Sequence, residues 1–332
     1  MTGDYRIFGG ELSPYSIKVR AYFRYKRIAH RWIVRNLENM EEYERYAKVP
    51  LIPLVVTPDD RALQDSTPIL EALEREFPEP AIQPPDPTRA FLSALIEEFG
   101  DEWAVKPMFH YRWTYEADQE SASLRIARDM GPGFSDAELA PFAESVRTRM
   151  VSRLPVVGSS PATRPTIEDA FVDLAAILER HLRDRPYLFG GRPALADFGL
   201  APELYQCASD PTAGALLRER APALVAWTER MLDPHDEGPF EEWPALAPTL
   251  EPLLARQVAR YFLSWSDANA AAVVAGEKSF TLELAGRAWT ESAAKYPAKS
   301  LAVLRARYAA QTDRANLDTI LERTGCLAWL LS

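Results

Sequence analysis

The chain has 332 residues, of which 47% are hydrophobic and 26% charged, and its formal net charge is −10. That length exceeds what one hydrophobic core ordinarily fills, so two domains are expected, with room for a further element. The acidic balance argues against a nucleic-acid partner or an anionic membrane surface, both of which call for basic patches.

Residues 5–78 alternate between strand and helix patterns. Tyr5 to Gly9 reads as a short strand, and Pro14 to about Ile28 as a helix with Pro in its first turn, where a missing N–H costs nothing. His30 to Arg35 alternates as a second strand, and Met40 to Ala47 is a short polar helix. Pro53 to Thr57 is a buried strand, followed by a Pro58-Asp59-Asp60 turn and a hairpin arm from Arg61 to Gln64. Ser66 then opens a helix whose apolar stripe is Ile69, Leu70, Leu73 and Phe77.

A Pro-rich run over residues 78–87 marks a boundary. From Thr88 to about Leu232 the pattern is helical throughout, with a wide stripe of Phe91, Leu92, Leu95, Ile96, Phe99 and Trp103. Residues 233–247 read as a second linker. The tail holds a long helix from about Thr249 to Ala275, a hairpin around Ala285-Gly286, and two closing helices over about 299–309 and 313–324. The alternating Phe280, Leu282 and Leu284 make the tail a packed appendage and not a disordered arm.

Cys207 and Cys326 stand far apart and have no metal or redox spacing, and the four histidines form no zinc signature, so no metal is expected. Met1 to Asp4 lacks the basic and apolar regions of a leader, and no apolar run reaches the roughly 20 residues of a membrane span. The expectation is a cytoplasmic protein with no membrane partner.

The run Ser13-Pro14-Tyr15-Ser16 sits at a strand-to-helix turn. A hydroxyl there can point at the free N–H groups and the positive dipole end of the helix, which together stabilise an anion such as a thiolate. A plain helix cap is the alternative use of the same serine. Two X-Pro pairs precede the third strand, Val49-Pro50 and Ile52-Pro53; Pro53 directly opens the apolar run Leu54-Val55-Val56, whereas Pro50 would leave a proline inside the strand. Gln64-Asp65-Ser66-Thr67 opens the following helix with residues that favour capping.

With these parts in place, the chain over about residues 4–232 resembles the cytosolic glutathione transferase superfamily. The resemblance implies a thioredoxin-like α/β N-terminal domain over 1–79 and an all-α helical domain over 88–232, followed by an α-rich extension with a small β-hairpin over 240–332. It resembles the serine-type branch, with similar extensions in bacterial proteins. It implies glutathione as co-substrate, with Ser13 donating a hydrogen bond to the glutathione sulfur and favouring its thiolate. Ile52, before a cis Pro53, would pair with the tripeptide backbone. Ser66 and its helix N-terminus would receive the γ-glutamyl carboxylate, and Asp65, one methylene shorter than the family's usual residue, its ammonium.

The helical-domain run Ala194-Leu195-Ala196-Asp197 resembles the family's buried capping motif with the cap oxygen missing. Tyr15, Trp103, His110 and Trp113 are the candidate residues for the second substrate, a small hydrophobic electrophile. The last three are spaced to share a helical face, where they form either an aromatic wall for the substrate or interdomain core.

The expected activity is that of a glutathione transferase, by conjugation or by related thiolytic cleavage or isomerisation. The alternative is a non-catalytic binding or scaffold protein on the same fold; glutaredoxin-like exchange is disfavoured by Ser in place of Cys at position 13. The resemblance also implies a homodimer. The extension is expected to dock on the helical domain and to wall the substrate site or replace the dimer surface.

Overall fold

A computed structural model of the protein describes residues 4–331. The expected absence of a leader concerns in part residues 1–3, which lie outside the described residues. The N-terminal unit is built from β1 (Tyr5–Gly9), α1 (Pro14–Tyr25), β2 (His30–Val34), α2 (Met40–Tyr46), β3 (Leu54–Val56), β4 (Ala62–Gln64) and α3 (Ser66–Glu76). Its sheet has the order β2-β1-β3-β4, with β2 parallel to β1 and both later neighbours antiparallel. The parallel pair needs a crossover, which α1 supplies, and the antiparallel pair β3–β4 needs only the short turn over residues 57–61. Leu54, Val55 and Val56 are fully buried, as a central strand covered on both faces requires.

The helical unit begins with α4 (Pro87–Phe99), which continues through a π-helical turn (Gly100–Ala104) into α5 (Val105–Thr114). It then contains α6 (Glu116–Met130), α7 (Asp136–Val151), α8 (Arg164–Leu182), α9 (Leu195–Ser209), α10 (Pro211–Arg220) and α11 (Pro222–Arg230). The Pro211 helix replaces what the sequence pattern leaves as a connection; Pro at its first position starts the helix instead of breaking it. At the crossing of the π-helical turn and α9, a Cβ on Gly100 would come within 2.8 Å of the Gly199 backbone, and one on Gly199 within 2.7 Å of Glu97. The two helices touch there backbone to backbone, which only glycine permits.

Ala194 caps α9 without a side-chain oxygen, yet Asp197 accepts the Ala194 N–H at 2.8 Å, the Leu188 N–H at 2.9 Å and the Trp227 indole N–H at 2.9 Å. Burial pushes the Asp197 carboxyl up to about 7 against these three donors.

Residues expected to be a free linker are tied down instead. Gly191 N–H donates to Pro239 at 2.8 Å, Glu237 N–H to Gly191 at 2.8 Å and Glu241 N–H to Phe189 at 2.9 Å, so the chain pairs back along residues 187–191. The extension then consists of α12 (Trp243–Leu253), a π-helical stretch (Leu254–Leu263), α13 (Ser264–Ala275), the hairpin β5 (Ser279–Leu284) and β6 (Arg287–Ser292), α14 (Lys295–Ala309), α15 (Ala315–Arg323) and α16 (Leu327–Leu331). One hydrophobic core runs from Ile7 and Val55 through Phe99 and Leu204 to Leu253 and Leu321. Among the described residues, no helix is long and apolar enough to cross a membrane.

Candidate functional site

Ser13 caps α1. Its backbone is extended (φ −100°, ψ 111°), and its Oγ accepts the Ser16 N–H at 3.2 Å and the Ser16 hydroxyl at 2.9 Å. With both lone pairs engaged, the hydroxyl proton of Ser13 is the group left to donate. Tyr15, two residues on, sends its hydroxyl to the Asp101 carbonyl at 3.0 Å and so ties the first turn of α1 to the π-helical turn. Burial raises the Tyr15 phenol well above its ordinary range.

The Ile52–Pro53 peptide is cis and leads into β3. Among the described residues, no hydrogen bond engages the Ile52 N–H or carbonyl. The loop before it is held by Gln64, which accepts the Lys48 N–H at 2.8 Å and donates to Val49 at 2.9 Å and Leu51 at 3.0 Å. Asp65 precedes α3 in a left-handed conformation (φ 78°) without capping it, and Ser66 is buried with its hydroxyl unengaged among the described residues. A non-glycine residue at positive φ is uncommon and concentrates at functional sites.

Tyr15, Ile52, Pro53, Asp65 and Ser66 all line one cleft of about 440 Å³, whose rim includes Val49, Leu51 and Gln64. Ser13 is not on its wall but caps the helix whose first turn contributes Tyr15. Tyr296 of α14 also lines the cleft, and its hydroxyl donates to Asp65 Oδ2 at 2.9 Å.

Behind the cleft, a polar cluster joins the two units. Lys18 of α1 donates to Glu97 at 2.5 Å, to Asp101 at 2.7 Å and to Thr67 at 2.9 Å. Burial alone would depress the Lys18 ammonium, but Asp101 and Glu97 outweigh it and raise it above its ordinary value. One ammonium between two carboxylates leaves Asp101 pushed up to about 7 by burial, with Lys18 opposing and Glu97 reinforcing the shift. Glu102, on the cleft wall and without a hydrogen bond among the described residues, is pushed by burial up to about 8. Glu203 is buried with both carboxylate oxygens unpartnered among the described residues, and burial holds it well above its ordinary range.

The three aromatic candidates do not join this cleft as one wall. The π-helical turn of residues 100–104 changes the phase between Trp103 and α5, so the i, i+7, i+10 spacing no longer defines one face. Trp103 is buried under the extension: it stacks on Tyr261 (centroids 5.6 Å, 25° between planes) and meets Trp265 at 5.9 Å and Trp289 at 5.6 Å. Trp113 packs in a cluster that includes Leu12 and Met150. His110 and Trp113 both line a second cavity of about 410 Å³.

Gln64, Lys18, Asp101 and Tyr296 are site-shaping residues that sequence reasoning missed. For Lys18 a signal existed: a lone charge between Ile17 and Val19 needs a buried partner.

Both cysteines are buried and unpaired. Burial lifts the Cys326 thiol to about 12 and Cys207 well above its ordinary range. The described residues contain no group of three or more side chains placed to hold a metal.

Residues 7–81 match the family described as glutathione S-transferase, N-terminal domain, and residues 161–230 match glutathione S-transferase, C-terminal domain. Among solved structures, similarity extends to a glutathione S-transferase from Methylobacterium radiotolerans in complex with glutathione sulfonate. It is 20% identical over 72% of this chain and 97% of that one, with a TM-score of 0.43. A β-etherase from a Sphingobium species is 19% identical over 75% and 99%, with a TM-score of 0.47. A maleylacetoacetate isomerase from Anaeromyxobacter dehalogenans is 26% identical over 79% and 94%, with a TM-score of 0.36. No curated protein matches the sequence. By these two matches and their order along the chain, residues 7–81 and 161–230 belong to the N- and C-terminal domain families of the glutathione S-transferases.

Proposed function

We propose that the protein is a glutathione-dependent transferase of the serine type that directs the glutathione thiolate at a hydrophobic electrophile. In this reading residues 1–79 bind glutathione, 88–232 form the helical domain, and 240–332 are an extension that walls the cleft. The observation that carries the reading is the Ser13 hydroxyl. Its oxygen accepts from Ser16 twice, so its proton is free to donate to a sulfur at the N-terminus of α1. A donor to the charged form lowers a thiol pKa from its usual value near ~8.5, and the helix dipole acts in the same direction.

The free backbone groups of Ile52 suit the cysteinyl peptide of glutathione. Ser66 and the first turn of α3 suit its γ-glutamyl carboxylate, and Asp65 its ammonium. The apolar rim of Val49 and Leu51 beside Tyr15 suits an uncharged acceptor.

The rival reading is a non-catalytic binding protein on this fold, since the extension itself lines the cleft through Tyr296. Calorimetric titration with glutathione, followed by an assay with a generic aryl-halide acceptor, separates the two. A transferase shows saturable heat and turnover, and Ser13→Ala lowers kcat by about 10- to 100-fold, because a hydrogen bond to a charged group contributes about 1.5–3 kcal/mol. Absence of both heat and turnover from the folded chain refutes the transferase reading, and retention on immobilised glutathione only through a partner protein favours the scaffold.

A further inference from the structure

The second cavity carries chemistry that the glutathione cleft does not use. His110 of α5 is buried, and its Nδ1 lies 2.7 Å from the Ser159 hydroxyl oxygen. Its Nε2 lies 3.2 Å from Glu168 Oε1 of α8. The only tautomer that satisfies both contacts has Ser159 O–H donating to Nδ1 and Nε2–H donating to the carboxylate. Burial lowers the His110 pKa, with Glu168 opposing, so the neutral ring, with Nδ1 as acceptor, is the favoured form. Burial would raise Glu168, but hydrogen bonds from Tyr115 at 2.7 Å and from His110 hold it below its ordinary value, ionised and fixed in place.

A histidine that merely ties a loop to a helix is enclosed by packed side chains. His110 and Ser159 instead both border an open cavity of about 410 Å³. One wall of that cavity is apolar, from Trp113, Val151 and Leu154. Another carries the Arg164 guanidinium, whose Nε is 3.1 Å from Glu168, at the N-terminal end of the 19-residue α8. Nucleophile, base and orienting carboxylate are therefore in sequence at hydrogen-bond distances, with positive charge beside them for a developing oxyanion.

We propose that Ser159, His110 and Glu168 form a second site that hydrolyses small, uncharged carboxylic esters through an acyl-serine. His110 Nδ1 takes the hydroxyl proton as Ser159 Oγ bonds to the ester carbonyl carbon. Collapse of the adduct breaks the bond to the alcohol oxygen, and the alcohol leaves with that proton. Water then attacks the acyl carbon, giving a proton to Nδ1; the carboxylic acid departs and the proton returns to Ser159. Glu168 stabilises the imidazolium in both halves, and the apolar wall sets a preference for short aliphatic or aryl groups.

The test uses the full chain without glutathione. A fluorophosphonate probe is expected to label one residue, Ser159, as identified by peptide mapping. p-Nitrophenyl acetate is expected to give a burst of about one equivalent. Ser159→Ala removes both, and His110→Gln slows acylation by about 100-fold or more, the scale of general-base catalysis. Thermal unfolding of each variant reports whether it is folded; if Ser159→Ala is not, the mapped site in the unaltered chain decides. An unlabelled, folded wild-type chain, a label mapped elsewhere, or a burst that survives Ser159→Ala overturns the proposal.

Discussion

Glu102 lies against the cleft with no hydrogen bond among the described residues, inside the π-helical turn and directly before the buried Trp103. Its carboxyl is pushed up by burial, with Asp101 reinforcing and Lys106 opposing, from 4.5 to about 8. The folded-state value lies above the unfolded one, so the protonated folded form is favoured at low pH. That contribution is fully present below about pH 4.5 and is lost as pH rises to about 8. Glu102→Gln removes the titration while keeping the shape. Its thermal midpoint is expected to equal that of the wild type near pH 4.5, to exceed it progressively above, and to hold a constant lead beyond pH 8. Parallel midpoint curves across that range would show that Glu102 is not desolvated. At this scale, what sequence could reveal was local chemistry: Ser13 beside Pro14, and Asp65-Ser66 at a helix start. Lys18 meets Glu97 and Asp101 across 79 and 83 residues, and Tyr296 meets Asp65 across 231, separations over which no spacing rule reaches.

Helix α14 is the element that makes the extension part of the cleft. Tyr296 in its first turn reaches Asp65, Ser300 one turn later reaches Glu98, and Arg307 in its last turn reaches Glu71 of α3. Tyr308 closes the row against Phe91 of α4 at 5.8 Å. Asp65 has no other side-chain partner among the described residues, and its positive φ gives it no local anchor, so Tyr296 fixes where its carboxylate points. Tyr296→Phe is expected to raise KM for glutathione by about 3- to 10-fold with kcat little changed, the effect of about 1 kcal/mol for one hydrogen bond. A KM that falls instead would mean that Tyr296 competes with the ligand for Asp65. The β5–β6 hairpin was readable because Ala285 and Gly286 both adopt positive φ, as a two-residue turn of matching twist requires. The place where α14 docks was not, since its apolar spacing fits any groove of the right width.

At the scale of the molecule, the extension is part of the core. Tyr261, Trp265 and Trp289 enclose Trp103, while Phe262 meets Phe99 at 6.3 Å. Lys106 sits among the indoles, 4.0 Å from the Trp265 ring centre and 2.7 Å from Glu291 Oε1. Both members of this pair are buried, and Glu291 Oε2 also takes the indole N–H groups of Trp265 at 2.8 Å and Trp289 at 2.9 Å. Removing the carboxylate would strand a buried ammonium and two indole donors together, so Glu291→Ala is expected to destabilise the chain by about 3–5 kcal/mol. A chain ending at Leu232 loses the same partners at once and exposes Trp103, Phe99 and Phe91. Such a contiguous aromatic surface drives association. Sedimentation of that truncated chain should reveal aggregates, with glutathione binding lost along with the fold. A soluble, glutathione-binding product of unchanged thermal midpoint would show that the first 232 residues fold alone, leaving the extension as a cover and not a structural half of the site.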